Sequence, residues 1–304
     1  MTKVQPFLEQ VKGDTWCIVT GYSRIPLFKL GGGRAVLIDS GIPADREGIL
    51  ALLKRSGLTV AGILTSHSHI DHMGNHRVLQ REHGAKLYMT PFDAAVTADP
   101  MAIKICFYEA SYNDVLQYAA PMFCRADYVI GPEDKSVEVE GARFGILRLP
   151  GHASDHIGFV TPDSVAYLAD ALLSDQVLNA VRIPYCLCCE LDLQTKRRIS
   201  GMKYDSFIIA HNGVYAESKG IADRNISKLH EKVETVYDLI NRPMAMEDIV
   251  LRASEAMGVR RNTLYKIRVS ECNIRTYVEY LTETGRLLQR AKDGMIEYIR
   301  TDWA

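Results

Sequence analysis

Short apolar runs broken by polar turns make up most of the chain before residue 218. Runs rich in β-branched residues predict strands, whereas apolar residues spaced three or four apart predict helices. Helices are predicted over residues 46–55, 72–83, 191–202 and 218–241. Strands are predicted over residues 14–20, 24–30, 35–38, 62–65, 86–89, 136–140, 143–149, 157–161, 165–168 and 206–210. Strands that alternate with helices in this way are typical of an α/β fold.

Residues 91–125 follow a different pattern, with helical spacing and many Ala, Tyr and Met residues. They predict either helices that pack on the sheet or a helical insertion that covers the mouth of an active site and shapes its substrate pocket. The two alternatives are compatible, and the pattern does not separate them.

A new pattern begins after the break at Asn241-Arg242-Pro243. Helices are predicted over residues 247–257, 261–270 and 274–284, and Asp293-Gly294 predicts a hairpin between residues 286–290 and 295–299. Three helices and a hairpin resemble a winged-helix module. We therefore expect a domain over residues 1–217, a connecting helix over 218–242 and a small, mainly helical, winged-helix-like domain over 243–304.

Composition and charge describe an ordinary globular protein. Apolar residues make up 47% and charged residues 24% of the 304 positions, and the net charge is −1. This charge creates no bulk field that favours nucleic acid or an anionic membrane. The start of the sequence has no apolar signal core, and no apolar run is long enough to span a bilayer. We therefore expect a cytoplasmic protein with no membrane partner.

The seven cysteines are odd in number and scattered, which fits reduced thiols better than a disulfide framework. Cys186, Cys188 and Cys189 cluster as Cys-x-Cys-Cys. A structural zinc site would need a second pair at a defined distance, and the sequence has none. We therefore favour small buried or pocket-lining thiols.

Four potential metal ligands follow the apolar strand predicted over residues 62–65. His67, His69, Asp71 and His72 fall within six residues, just before the helix predicted over 72–83. His67 and His69 point the same way if the segment is extended, whereas the other two lie where the chain turns into the helix. A histidine-rich polar loop is the alternative, but imidazole and carboxylate are ligands that Zn²⁺ takes, and the density favours a metal site.

Three further candidate ligands share one context. His152, Asp170 and His211 each come just after a predicted strand. Each has an ordinary alternative, such as a loop histidine or a capping aspartate. Because loops at one edge of a rigid sheet are where sites are built, the repeated arrangement of a strand followed by a ligand favours their convergence.

The ordered pattern His-x-His-x-Asp-His, Pro-Gly-His, Ala-Asp and a strand ending in His resembles the metallo-β-lactamase superfamily over about residues 14–215. The resemblance implies a four-layer αβ/βα sandwich with two metal ions at the sheet edge. It implies that His67, His69 and His152 bind the first ion. It also implies that Asp71, His72 and His211 bind the second and that Asp170 bridges both. Asp39 matches an Asp-x-Gly turn of the family. It is expected to orient the metal ligands by hydrogen bonds without binding the metal itself.

This ligand set predicts a dinuclear-metal hydrolase. Two divalent ions lower the pKa of a shared water, and Asp71 is the residue expected to hold the resulting hydroxide for attack. Zn²⁺ is the expected metal, although Fe and Mn accept the same nitrogen and oxygen ligands. A serine or cysteine nucleophile is not required.

The leading interpretation is a hydrolase of a small acyl substrate, namely a thioester, ester or lactone, similar to the glyoxalase II and lactonase branch. Glyoxalase II enzymes place a basic residue and a tyrosine shortly after the bridging Asp to hold glutathione. Residues 172–181 contain neither, which disfavours glutathione thioesters. Arg182 and Tyr185 are the nearest polar candidates for substrate contact.

The alternative is a phosphodiesterase, specifically an endoribonuclease that acts on single-stranded RNA, because some superfamily members pair this domain with a winged helix. A DNA-reading regulator is least favoured. Residues 243–304 carry ten Lys and Arg against nine Asp and Glu, and the helix predicted over 274–284 carries Glu279 and Glu283 against Arg275. Nucleic-acid binding favours a basic stripe, so we expect a packing role or a homodimer contact instead.

Overall fold

The computed structural model describes residues 4–106 and 111–303. The chain divides into two compact units. The first comprises residues 1–150, 154–174 and 202–218, and the second comprises residues 151–153, 175–201 and 219–304.

Two mixed sheets form the frame of the first unit. The first sheet has the strand order β1 to β7, antiparallel from β1 to β4 and parallel from β4 onward. Its strands are β1 (Phe7–Lys12), β2 (Thr15–Val19), β3 (Arg24–Gly31), β4 (Arg34–Ile38), β5 (Thr59–Leu64), β6 (Lys86–Met89) and β7 (Tyr128–Val129).

The second sheet has the order β13 to β8 and is antiparallel except for the parallel pair β11 and β12. Its strands are β8 (Ser136–Val139), β9 (Ala142–Arg148), β10 (Ile157–Val160), β11 (Val165–Ala169), β12 (Ser206–Ile209) and β13 (Gly213–Tyr215).

The alternation of side chains along each strand builds two cores. On β4, Ile38 lies in a cluster shared with Phe144 and Tyr167 of the second sheet, so this cluster fills the space between the sheets. The intervening residue Leu37 lies in a second cluster with Leu53, on the opposite face of the first sheet. Two stacked sheets, the first with helical residues on its outer face, confirm the predicted αβ/βα sandwich.

The helices of the first unit include a break that the periodicity did not predict. The helix expected over residues 72–83 is two helices, because Gly74 packs against Pro43 and Asn75 donates hydrogen bonds to the carbonyls of Ser40 and Ile42. Among the described residues of this unit, the α-helices are α1 (Arg46–Arg55), α2 (Ile70–Met73), α3 (His76–His83), α4 (Pro91–Ala98), α5 (Pro100–Cys106) and α6 (Tyr112–Tyr118).

The described residues of the segment over 91–125 are mainly helical, as its spacing predicts. Helices α4, α5 and α6 surround a small apolar cluster that includes Val96, Ile103 and Val115. Its role at a substrate pocket stays a prediction, and residues 107–110 lie outside the described residues.

The second unit is mainly helical, with a small sheet of order β14-β16-β15. Its elements are α7 (Asp175–Ala180), α8 (Cys189–Ser200), α9 (Lys219–Leu239), β14 (Met244–Ala245), α10 (Met246–Ala256), α11 (Leu264–Glu283), β15 (Leu287–Lys292) and β16 (Met295–Arg300). The predicted hairpin around Asp293-Gly294 is present as β15 and β16.

One prediction for this unit is wrong. The two helices expected over residues 261–270 and 274–284 form the single helix α11, because no glycine or proline interrupts them. The Ser270 hydroxyl bonds the carbonyl of Ile267 inside the helix, and the Tyr277 hydroxyl donates to the carbonyl of Pro184 at 2.5 Å.

The clustered thiols lie in the core of the second unit. Cys186 and Cys189 are buried there, with their sulfur atoms 3.4 Å apart, and Cys188 is half-buried. This position agrees with the interpretation of buried thiols. Within residues 4–106 and 111–303, none of the helices combines the length and apolar character that crossing a bilayer requires.

The core between the sheets makes a prediction about stability. Phe144 is fully buried, with its ring edge-on to Phe28 at 5.6 Å between centroids. Phe144→Ala should lower the free energy of unfolding by about 3–5 kcal/mol, measured by urea denaturation, because it leaves a cavity between the sheets. The control Phe7→Ala changes a ring that is 46% exposed and should cost less than about 1 kcal/mol. Equal losses in the two variants would contradict this packing.

Candidate metal centre

The predicted site residues of the first unit follow the carboxyl ends of its strands. Asp39 follows β4, residues 65–69 follow β5, Asp170 follows β11, and His211 comes two residues after β12. Because β4 and β5 are parallel neighbours and β11 and β12 are parallel neighbours, each pair delivers its side chains to one edge of its sheet.

Unusual backbone conformations mark three of these strand ends. Asp39, Ala169 and Asn212 have positive φ angles of 64°, 46° and 64°. Non-glycine residues occupy this left-handed region at a cost of about 1 kcal/mol or more. The chain therefore turns sharply where it presents Asp39, Asp170 and His211.

Four predicted ligands converge within the first unit. Asp71, His72, Asp170 and His211 offer ligand atoms that all lie within 4.8 Å of one another. The two oxygens of Asp170 face Nε2 of His72 and Nε2 of His211, each at 3.3 Å. Oδ2 of Asp71 lies 3.5 Å from His211 Nε2 and 4.0 Å from His72 Nε2.

This group of four attracts positive charge. Burial lowers the pKa of His72, but the carboxylates of Asp170, Asp39 and Asp71 outweigh it and hold the pKa well above its ordinary value. Burial likewise lowers the pKa of His211, yet Asp170 and Asp71 raise it to about 10. Burial raises the pKa of Asp170, but the imidazoles of His72 and His211 bring it well below its usual range. The group can therefore be balanced by protons on its imidazoles or by a divalent cation.

Three histidines form the other predicted set. Two of them, His67 and His69, lie in the first unit, where His67 Nε2 is 3.0 Å from His69 Nδ1, whereas His152 belongs to the second unit and its place in this set stays a prediction. Burial lowers the pKa of His69 despite the opposing charges of Asp71 and Asp170. Neutral imidazoles, with a lone pair on one nitrogen, are the form that binds a metal.

Asp39 is the acceptor of several hydrogen bonds next to the predicted ligands. Its Oδ1 accepts from the Ser66 N–H at 2.8 Å, and its Oδ2 accepts from the Ser66 hydroxyl at 2.7 Å. Oδ2 also lies 2.8 Å from Nδ1 of His72 and accepts from the Tyr167 hydroxyl at 2.8 Å. Since a carboxylate only accepts, Nδ1 of His72 carries a proton, and Nε2 is directed toward Asp71 and Asp170.

The donor set fits a pair of borderline divalent cations. The first group offers imidazole nitrogens alone, and the second offers two imidazoles and two carboxylates. These are the ligands that Zn²⁺, Fe and Mn share. The support of a histidine ligand by a carboxylate, as in His72 and Asp39, is typical of metal centres.

Two other buried histidines have structural partners. His76 lies between the hydroxyls of Ser40 and Thr65, at 2.7 and 2.9 Å. Nδ1 of His156 lies 2.9 Å from the carbonyl of Leu149. Burial lowers the pKa of both imidazoles to about 4, so they stay neutral at ordinary pH.

The two proposed substrate contacts differ in position. Tyr185 is half-buried, and its ring lies edge-on to His152 with 5.1 Å between centroids. Arg182 is exposed. Both therefore stay predictions.

Three residues that contact the site were not predicted from the sequence. Tyr22 lies in a turn and packs on His211, and Ser66 and Tyr167 bond Asp39. Ser66 stands next to the histidine motif, which was a usable signal. Tyr22 and Tyr167 gave none, because a turn tyrosine and a strand tyrosine are common.

A family model and several curated proteins match this chain. The model described as the metallo-beta-lactamase superfamily matches residues 27–220. A hydroxyacylglutathione hydrolase from Chromohalobacter salexigens is 28% identical over 143 residues, which are 46% of this chain and 44% of that protein. A hydroxyacylglutathione hydrolase from Haemophilus influenzae is 26% identical over 184 residues, covering 60% and 81%. The chain thus spans less than half the length of the first of these curated relatives.

Solved structures resemble this chain over nearly its full length. A metallo-beta-lactamase family protein from Thermus thermophilus has a TM-score of 0.70 at 20% identity, covering 97% of this chain and 98% of its own. A beta-lactamase domain protein from Burkholderia ambifaria has a TM-score of 0.69 at 18% identity, covering 97% and 94%. At these identities the likeness shows a common fold.

The network around Asp39 makes a prediction about the metal-free protein. Asp39→Asn replaces one accepting oxygen by a donor, so at least one buried donor loses its acceptor. The free energy of unfolding in the presence of a chelator should fall by about 2–4 kcal/mol. Tyr167→Phe is the milder control and should cost about 1 kcal/mol, since three other contacts to the carboxylate remain. A smaller loss for Asp39→Asn than for Tyr167→Phe in urea denaturation would argue against the network.

Proposed function

Because the chain belongs to the metallo-beta-lactamase superfamily, we propose that it is a dinuclear-metal-dependent hydrolase of a small acyl substrate. The observation that carries this proposal is the convergence of Asp71, His72, Asp170 and His211 behind strands of both sheets, at the edge where the carboxyl ends of those strands lie. Carboxylates and imidazoles gathered at such an edge suit a metal ion and an attacking water.

Two ions are proposed, with Zn²⁺ as the preferred metal. His67, His69 and His152 would hold the first ion, Asp71, His72 and His211 would hold the second, and Asp170 would contribute to both. The proposal is supported by the short distances among Asp71, His72, Asp170 and His211, by the 3.0 Å between the ring nitrogens of His67 and His69, and by the charge of Asp170, which opposes the lowering of the His69 pKa by burial. When bound, such ions would supply an activated water near neutral pH and would polarise the substrate oxygen.

The residues of the chain have separate tasks in this mechanism. Asp71 is the proposed catalytic residue, because its side chain is 23% exposed and its Oδ2 faces His211 and His72. This oxygen would accept a hydrogen bond from the attacking water. The bond would orient the water so that a lone pair of the water oxygen points toward the acyl carbon. Asp39 keeps His72 in the required orientation through the bond to Nδ1.

An acyl substrate is favoured over a phosphodiester. The curated relatives named hydroxyacylglutathione hydrolase support acyl chemistry, although they match at 28% identity or less. The net charge of −1 gives no general attraction for the RNA backbone. A thioester, ester or lactone is therefore proposed, with glutathione thioesters disfavoured because residues 172–181 lack a basic residue and a tyrosine.

Metal content tests the ligand assignment. Elemental analysis of the protein purified without added metal should give about two ions per chain, with zinc prevailing over iron and manganese. His72→Ala should retain about one ion or fewer, because it removes a ligand and leaves the carboxylates unbalanced. The control substitution His230→Ala changes a residue of α9 that belongs to neither group. The control variant should therefore retain both ions. Equal metal content in all three proteins would overturn the assignment.

Substrate turnover tests the chemistry. The metal-loaded protein should hydrolyse acyl thioesters, esters or lactones, and Asp71→Asn should reduce this turnover by about 100-fold or more, because it loses the acceptor for the attacking water. Bis-p-nitrophenyl phosphate and single-stranded RNA are the comparison substrates. Cleavage of RNA without cleavage of any acyl substrate would replace this proposal by an endoribonuclease.

A further inference from the structure

Tyr22 occupies a rigid turn beside the group of four ligands. It lies between β2 and β3, where the Thr20 hydroxyl accepts from the N–H groups of Tyr22 at 3.1 Å and Ser23 at 2.9 Å. The next residue, Arg24, donates its N–H to the carbonyl of Ala210 at 2.7 Å. Because Ala210 precedes His211, backbone hydrogen bonds fix the turn to the strand end that carries a proposed ligand.

Tyr22 contacts His211 through its ring and its backbone. The two ring centroids lie 4.7 Å apart at an interplanar angle of 68°, an edge-to-face arrangement. Nδ1 of His211 lies 3.4 Å from the carbonyl oxygen of Tyr22. This carbonyl favours a proton on Nδ1, and Nε2 is then directed toward Asp71 and Asp170.

The hydroxyl of Tyr22 lies beside Asp71, and the residue is partly exposed. The hydroxyl oxygen lies 3.5 Å from Oδ2 of Asp71, which is long for a hydrogen bond, and the residue is 46% exposed. Tyr167 and Tyr277 differ, since both of those rings are buried, whereas the ring of Tyr22 is partly exposed. A tyrosine fixed by its backbone, with a half-exposed ring beside Asp71, is placed to meet a molecule that approaches from solvent.

We propose that Tyr22 is a substrate-contacting catalytic residue whose hydroxyl donates a hydrogen bond to the acyl oxygen. This role rests on the proposed function. Negative charge develops on that oxygen when water attacks, and a fixed neutral donor stabilises the charge without transferring a proton. The ring provides an apolar surface for the acyl chain, so the site suits an uncharged acyl group with a small apolar chain.

The test uses Tyr22→Phe, which removes the hydroxyl but keeps the ring and the backbone carbonyl. On 4-nitrophenyl butyrate, kcat should fall about 10- to 100-fold, and KM should change by less than about threefold, because the donor acts on developing charge. Metal content by elemental analysis should equal that of the wild type. The control Tyr265→Phe changes a tyrosine that is 75% exposed in the second unit and should match the wild type.

A second measurement is independent of turnover. Butyrate, the carboxylate product, should bind metal-loaded Tyr22→Phe about tenfold more weakly than the wild type in titration calorimetry, since it loses a charge-assisted hydrogen bond. Equal butyrate affinity in the two proteins, including no binding to either, overturns the role of Tyr22. If the wild type cleaves no acyl substrate, the proposed function fails, and the butyrate comparison alone decides for or against Tyr22.

Discussion

Charge balance among buried carboxylates is the constraint on which the rest of the site depends. Asp39 and Asp170 are buried, and Asp71 lies beside them. A buried carboxylate is costly unless cationic or hydrogen-bonding partners surround it. His72 meets this need, because its Nδ1 lies 2.8 Å from Asp39 and its Nε2 lies 3.3 Å from Asp170. The strands that lead to these residues must therefore end close to one another in space. The packing of one sheet on the other fixes the positions of those strand ends.

Much of this frame could be predicted from the sequence, since it depends on local pattern. The helix expected over residues 46–55 is α1, with the same bounds, and the strand expected over 86–89 is β6. The candidate ligands were found because each follows an apolar run, and a run that forms a buried strand fixes where the next residue emerges. Asp39 was identified because it resembles the family's Asp-x-Gly turn. Its hydrogen bonds to Ser66 and Tyr167 could be recognised only in the tertiary structure.

Features set by distant contacts could not be predicted. The break between α2 and α3 depends on Pro43 and Ser40, which lie some thirty positions earlier and crowd or bond Gly74 and Asn75. The position of Tyr22 depends on a hydrogen bond from the N–H of Arg24 to the carbonyl of Ala210. These residues are far apart in the sequence, so the periodicity of either segment does not predict this bond. Substrate choice is less local still, because it depends on side chains around a shared site and the family's fold serves many reactions.

The left-handed backbone of Ala169 has a consequence for how the neighbouring carboxylate is aimed. Alanine restricts φ and ψ far more than glycine does, so few alternative directions are open to the next peptide plane once this conformation is adopted. Since this conformation is costly for alanine, the surrounding fold holds it, in part through the hydrogen bond from the N–H of Ala210 to the carbonyl of Ala169 at 3.2 Å, and thereby sets the direction in which Asp170 leaves the strand. Such preorganisation would let a divalent ion bind with little loss of conformational entropy.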